Sequence, residues 1–337
     1  MRLGVLDIGS NTVHLLLVDA YPGAPPVPFA SYKRSLQLVA FLDESGAVSE
    51  IGQRELVEFI TGAVHFAQDN LAEDFLAFAP SAIREAANGA DVLARVQRET
   101  GVELAELSGP EEAAATFLAA RRWYGWRSGT LMSLDIGGGS FELAVGSNEH
   151  PDVALSVPLG AGRLTRDLLH GDPPSAPRIS AARTYIRAVL ERPLADLAGH
   201  GIPTIVAGSS KSFRSLARIT GASERGAGIY VPRELTLRKL TGLTNRLSTM
   251  TSDDRSGLPG VSPLRAQQLL AAAIVAEEAM SGLGISVLQI CPWALREGIL
   301  LQRFDTLAAA SPSQAGTKPP QPPQSLATSG DREGMTG

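Results

Sequence analysis

The sequence contains one cysteine, Cys291, so no intrachain disulfide can form and a reducing compartment fits. It has no uninterrupted apolar run of the roughly 18 residues that a membrane-spanning helix needs. The opening apolar stretch is too short for a secretory leader and is interrupted by Asp7. There is no excess of positive charge: 30 Lys and Arg stand against 35 Asp and Glu, a net charge of −5. Nothing global therefore attracts nucleic acid or another polyanion, and an anionic ligand needs a local cluster of donors and a metal ion. The five histidines show no metal-ligand spacing, which argues against a zinc site. These absences predict a cytoplasmic protein with neither a nucleic-acid nor a membrane partner.

The 337 residues suffice for two domains, each with its own core, and 44% hydrophobic with 19% charged residues is a globular composition. Residues 2–18 read as strand, Gly-Ser-Asn turn and second strand, and Pro22, Pro25, Pro26 and Pro28 mark a loop. Leu56, Phe59, Ile60, Val64 and Ala67 recur at helical spacing within 50–71. A strand at 76–79, a helix at 90–100 and a strand at 102–107 follow. Ser108-Gly109-Pro110 opens a helix running to 122, since proline suits the first helical turn. Residues 131–145 repeat strand, glycine turn, strand. Helices are expected at 178–198 and 264–282, with a strand at 203–207 leading through Gly208-Ser209-Ser210-Lys211 into a helix ending near 218. A last helix at 294–308 packs on either domain. Residues 311–337, rich in Pro, Ser, Gln and Gly, are predicted to be a disordered tail. The expected domains are 1–122 and 127–305.

The central observation is a repeat. Leu6-Asp7-Ile8-Gly9-Ser10 returns as Leu134-Asp135-Ile136-Gly137-Gly138, 134 − 6 = 128 residues later. Each copy is an apolar strand, an aspartate, a glycine-rich reversal and another apolar strand. Glycine permits a tight turn and close approach of bare amides to a ligand. Successive amides make a concave anion site, and an aspartate at the strand end can hold a cation directly or through water. Two such loops facing each other would grip a phosphate chain. The plainer reading is a pair of ordinary hairpins, which recurrence at domain scale disfavours.

At these residues the chain resembles the exopolyphosphatase and guanosine pentaphosphate phosphohydrolase (Ppx/GppA) family, within the superfamily of acetate kinase, sugar kinases and actin. The resemblance covers about 1–305 and rests on Asp7-Ile8-Gly9-Ser10-Asn11-Thr12 with His14, Asp135-Ile136-Gly137-Gly138-Gly139-Ser140-Phe141-Glu142, and Ser108-Gly109-Pro110-Glu111-Glu112-Ala113. Pro158-Leu159-Gly160-Ala161-Gly162-Arg163-Leu164-Thr165 and Leu295-Arg296-Glu297-Gly298 also match. The family pattern is departed from at Pro80, where Thr is common, and at Gly208-Ser209-Ser210-Lys211, where a Gly-Gly-Thr type loop is common. The resemblance implies an α/β chain of two actin-like domains with an interdomain cleft, of the short actinobacterial type, acting as a homodimeric, cytoplasmic exopolyphosphatase with Mg²⁺ (or Mn²⁺) as cofactor. Its partner would be inorganic polyphosphate, with preference for short chains. A guanine nucleotide alarmone, guanosine pentaphosphate, is the alternative substrate. A small-molecule kinase and a non-catalytic phosphate sensor are further readings, both disfavoured by the residues present.

Within that frame Glu112 is the expected general base and Arg84 a phosphate clamp, or else a surface partner of Glu85 or Asp91. Gly9, Ser10, Asn11, Thr12, Gly137, Gly138, Gly139, Ser140, Gly208, Ser209, Ser210 and Lys211 are the expected phosphate-binding residues. Lys211 opens a helix, where anions bind, though a solvated lysine would look the same. Asp135 and Glu142, with Asp7, are the expected Mg²⁺ ligands; an ordinary strand carboxylate is the alternative for Glu142. Glu111 reads as a first-turn helix carboxylate. Lys33 and Arg34 either extend the anionic track or are surface charges, and His14 and Cys291 read as structural.

Overall fold

The computed structural model describes residues 1–9, 12–21, 26–36, 38–43, 45–79, 83 and 86–310. Of the residues singled out above, Ser10, Asn11, Pro22, Pro25, Pro80, Arg84, Glu85 and the segment 311–337 lie outside these.

The first sheet is built from β1 (Arg2–Ile8), β2 (Thr12–Asp19), β3 (Val27–Ser35) and β4 (Asp74–Phe78), in the order β3-β2-β1-β4. β1 runs antiparallel to β2 and parallel to β4. Helices α1 (Glu50–Asp69) and α2 (Gly89–Thr100) cover one face. Val13, Leu15 and Leu17 alternate inward and meet Leu56, Phe59 and Ile60 of α1 in a continuous core.

The second sheet holds β5 (Leu131–Ile136), β6 (Phe141–Gly146), β7 (Val153–Val157), β8 (Ile205–Gly208), β9 (Glu234–Thr236) and β10 (Val287–Ile290), in the order β7-β6-β5-β8-β10-β9. Its first four strands reproduce the first sheet's order and directions. The helices of this half, apart from the one at Gly109–Tyr124 (α3), are α4 (Ala161–Asp167), α5 (Ala176–Ala198), α6 (Lys211–Ile219), α7 (Leu237–Leu247), α8 (Ser252–Ser256) and α9 (Pro263–Gly282). α9 is buried on nearly all sides, which its near-continuous run of Ala, Leu, Ile and Val requires. Its two carboxylates, Glu277 and Glu278, are paired with Arg183 and Arg187 of α5.

Two helices join the halves. α3 (Gly109–Tyr124) lies on β5, β6 and β7, with Ala113, Phe117 and Ala120 packed on Leu131, Ala144 and Cys291. By packing it goes with the six-stranded sheet, although it precedes the expected boundary at 122. α10 (Leu295–Ala310) lies against α3 and β1. Its Leu300, Phe304 and Leu307 cover Leu3, Val5, Val18 and Ala20 on the outer face of the first sheet. Burying a leucine such as Leu300 contributes about 1.5–3 kcal/mol. The helices touch at Gly298: a Cβ there would lie 1.9 Å from the Ala115 carbonyl oxygen, so only glycine permits this crossing. Arg122 with Asp305 and Arg303 with Asp74 tie the ends.

Two expectations need correction. Pro28 belongs to β3 rather than to a loop. It sits at a register shift opposite Leu17 and Val18 on an edge strand, where a missing N–H is tolerated. The strand expected at 102–107 reduces to one bridge, Ala105 to Phe78, flanked by hydrogen bonds of Ala105 with Ala77 and Ala79.

Candidate active site

Both repeats form the same hairpin. Gly9 N–H donates to the Thr12 carbonyl at 2.9 Å, and Gly137 N–H donates to the Ser140 carbonyl at 2.9 Å. The aspartates occupy equivalent places, Asp7 opposite His14 and Asp135 opposite Glu142.

The glycines of the second loop are oriented from behind. The carbonyls of Gly137, Gly138 and Gly139 accept from the N–H groups of Ala161, Arg163 and Gly160, at the start of α4. Arg163 Nε adds a bond to the Gly139 carbonyl at 3.0 Å. A Cβ on Gly160 would lie 2.2 Å from the Gly139 carbonyl carbon, so the two loops need glycine at this contact. With its carbonyls tied back, the loop is set to offer the amides of Gly138, Gly139 and Ser140 to an anion.

Glu142 is almost fully buried and accepts from the Ser156 hydroxyl at 3.0 Å. Burial pushes its carboxyl up to about 8, helped by repulsion from Asp135 and Glu112 and opposed by hydrogen bonds from Ser140 and Ser156. Asp135 accepts from the Ser209 hydroxyl at 3.0 Å. Its carboxyl is pushed up to about 6 by desolvation, with Asp7 adding to the rise and Ser209 and Arg214 opposing it. Glu112 stands in the first turn of α3. Ser108 caps that helix and Glu111 closes the capping box, while Glu112 lies within electrostatic range of Glu142. A Cβ on Gly109 would fall 2.4 Å from the Ser156 Cβ, and this close approach sets the start of α3 against the Glu142 site.

The opposite wall is basic. Lys211 opens α6, and burial, with repulsion from Arg265 and Arg296, brings its ammonium down to about 8. Arg214, one turn on, lies within electrostatic range of Asp135, Arg225 and Arg296. Arg296, at the start of α10, pairs with Asp7 at 3.3 Å and donates to His14 Nδ1 at 2.7 Å. His14 is thereby kept neutral: burial and the neighbouring cations Arg296, Lys211 and Lys33 bring it down to about 4.

The structure therefore brings Glu112, Asp135, Glu142, the 137–140 loop and Lys211 together, with Asp7 beside them. Thr12 closes the first hairpin's turn. Gly208 is placed for packing, since a Cβ would lie 2.5 Å from Leu288. The Ser209 hydroxyl holds Asp135, and the Ser210 hydroxyl caps α6 by accepting from Phe213 N–H. Arg34 pairs with Glu55 on the first domain's surface, and Cys291 is buried in the core with its thiol pushed up to about 12 by desolvation. Sequence reasoning missed roles for Arg214, Arg265, Arg296 and Ser156. Arg214 carried a signal, its spacing of three from Lys211 on one helix. Arg265 and Ser156 carried none, because only the tertiary fold brings them here.

Comparison with known proteins bears on this geometry. The sequence profile of the Ppx/GppA phosphatase family matches residues 18–307. The chain belongs to this family. Among Ppx/GppA relatives, a Mycobacterium tuberculosis protein named exopolyphosphatase 1 is 49% identical over 308 residues, 91% of this chain and 90% of that one. The Mycobacterium leprae exopolyphosphatase 1 is 48% identical over 91% of each chain. An exopolyphosphatase structure from Cytophaga hutchinsonii superimposes with a TM-score of 0.81 at 22% identity, covering 91% of this chain and 98% of the other. The Aquifex aeolicus Ppx/GppA structure gives 0.78 at 22% identity with the same coverage. These likenesses establish the two-domain actin-like fold.

Among the described residues no three His, Cys, Asp or Glu side chains form a metal cage. The donor set still fits a hard cation. Asp135 and Glu142 face each other across the β5–β6 ladder, and each disfavours the other's charge. Mg²⁺ commonly binds through one or two carboxylates and completes its shell with water and substrate phosphate. No helix among the described residues is long and apolar enough to cross a membrane.

Proposed function

We propose that this chain is an exopolyphosphatase, releasing orthophosphate from the end of inorganic polyphosphate. The observation that carries the reading is the convergence of Glu112, Asp135 and Glu142 on the 137–140 loop, facing the basic wall begun by Lys211. The naming of relatives at 49% and 48% identity supports it.

The terminal phosphate is received by the amides of the 137–140 loop, and Lys211 compensates its charge. Glu112 orients a water and takes its proton as the water oxygen bonds to the terminal phosphorus. The bridging P–O bond breaks, the electron pair stays with the shortened chain, and orthophosphate leaves. Asp135 and Glu142 would hold Mg²⁺ or Mn²⁺, which neutralises charge on the phosphoryl oxygens when bound. Ser156 and Ser209 hold these two carboxylates in place.

The family resemblance also supports a cytoplasmic homodimer; a monomeric mass by light scattering at assay concentration would count against the dimer. The function is tested by orthophosphate release from short polyphosphate, long polyphosphate and guanosine pentaphosphate, side by side with Mg²⁺. Release from polyphosphate is expected to dominate. Preference for the guanosine compound would assign the site to the nucleotide instead.

A further inference from the structure

A cleft of about 1410 Å³ opens where the carboxylate cluster ends. Lys211 and Arg214 stand at its near side, and Arg225 and Arg265 also line it. Most of the other cations along its walls are committed to the fold. Arg121 donates to Ser128 and to the carbonyls of Gly129, Gly146 and Asn148. Arg122 is held by Glu149 and Asp305. Arg218 donates to the Ala222 carbonyl and lies 3.8 Å from Glu224. Arg233 donates to four carbonyls of the 223–231 segment.

Arg214 and Arg225 differ. The Arg214 guanidinium is deeply packed, yet its one hydrogen bond among the described residues is a long one, 3.4 Å to the Pro292 carbonyl. Glu297 and Asp135 lie within electrostatic range of it, but so do Arg225, Arg296 and Arg265. Glu297 already accepts from Ala294 N–H at the start of α10, and Asp135 belongs to the carboxylate pair. The Arg225 side chain makes no hydrogen bond or ion pair among the described residues, and it lies within electrostatic range of both Arg214 and His14 of the other domain. Guanidinium groups gathered without matching acids repel one another, and burying one costs solvation. A ligand carrying several negative charges in a row offsets both costs at once.

The direction follows from the helix. Lys211 is the first residue of α6, whose Ser212 hydroxyl donates to the Ile136 carbonyl beside the terminal-phosphate loop; Arg214 is one turn further, and Arg225, which follows α6 in the chain, lies within electrostatic range of Arg214. We infer that Arg214 and Arg225 form a subsite for interior phosphates, along which a polyphosphate chain leaves the catalytic carboxylates past Lys211. This rests on the reading of the chain as an exopolyphosphatase. Arginine suits the task because its planar fork can meet oxygens of neighbouring phosphates.

The test is calorimetric binding in the slow Glu112→Gln background with Mg²⁺, using tripolyphosphate and a polyphosphate several times longer. Arg225 is exposed, so Arg225→Ala is expected to fold. It should weaken binding of the longer chain about tenfold, the scale of one lost charge-assisted contact, and change tripolyphosphate affinity less than about twofold. Arg214→Met should weaken both ligands, and Arg214→Lys should restore part of the loss. Unchanged affinity of Arg225→Ala for the longer chain would overturn the subsite, as would equal losses for both ligands. Absence of any polyphosphate binding in the Glu112→Gln parent would instead remove the functional reading, and the subsite with it.

Discussion

The β1–β2 and β5–β6 hairpins share register and turn hydrogen bond, yet their charge is arranged differently. Position for position, 128 residues apart, Asp7 matches Asp135 but His14 matches Glu142. In the first hairpin the chain supplies its own cation: Arg296 pairs with Asp7 and donates to a neutral His14. In the second, two carboxylates face each other and both are destabilised as anions. A duplicated backbone thus gives one site completed internally by an arginine and one whose paired carboxylates suit the cation proposed above. The difference lies in one side chain on the return strand, not in the glycine loop.

The largest effect is expected on the second hairpin's side. Glu112→Gln should lower turnover at least ~100-fold with polyphosphate binding nearly intact, because Glu112 lies within electrostatic range of Glu142 and loss of a general base costs about that much. Wild-type turnover in that variant would end its assignment as base. Glu142→Gln should abolish dependence on Mg²⁺ or Mn²⁺ together with most activity, whereas His14→Gln should lower activity no more than about tenfold through loss of support for Arg296. Equal losses in the two variants would erase the distinction between the hairpins. Full wild-type activity in excess chelator would refute the cation altogether.

Stability against pH should separate the hairpins by sign. Glu142 and Asp135 have raised values, about 8 and about 6, so their contribution is complete below the ordinary carboxylate range and is lost as pH rises through 6 and 8. His14 has a lowered value, about 4, so its contribution is complete above the ordinary imidazole value near 6.5 and is lost as pH falls toward 4. Thermal melting of the metal-free protein should therefore weaken on both sides. Glu142→Gln should flatten the alkaline arm and His14→Gln the acid arm, each by a few degrees, the scale of about 1 kcal/mol in a chain of this size. Added Mg²⁺ should raise the melting temperature more at pH 8 than at pH 5, since the ligands must be ionised to bind. The smallest effect is expected from removing 311–337, whose only large apolar side chains are Leu326 and Met335; activity should not change, and a large loss would show that the segment docks.

Much of this was legible because the informative signals were local. The repeated Leu-Asp-Ile-Gly string gave both hairpins and both aspartates, and Ser108-Gly109-Pro110 gave the start of α3 and so the place of Glu112. The segment 220–262, where β9, α7 and α8 lie, offered no comparable punctuation. β7 and β10 were missed because five- and four-residue strands leave little periodicity to read. Arg296 stood in a recognised motif, but its partner Asp7 is 296 − 7 = 289 residues away, and no spacing rule connects them. Gly208-Ser209-Ser210-Lys211 reads as a phosphate loop from its glycine-serine context, and the structure adds a place for the hydroxyls of Ser209 and Ser210. One holds a carboxylate and the other caps a helix, roles that a turn sequence alone does not distinguish.

The cover of α10 over β1 sets an order of events during synthesis. Leu3, Val5 and Val18 are synthesised well ahead of the Leu300, Phe304 and Leu307 that cover them. Domains tend to fold as they emerge, N-terminal first. Here the first sheet can gather its inner core against α1 early, but its outer face stays bare until α10 has been made. The nascent chain thus carries an open apolar surface until that helix arrives, and closing the surface is the step that brings Arg296 to Asp7.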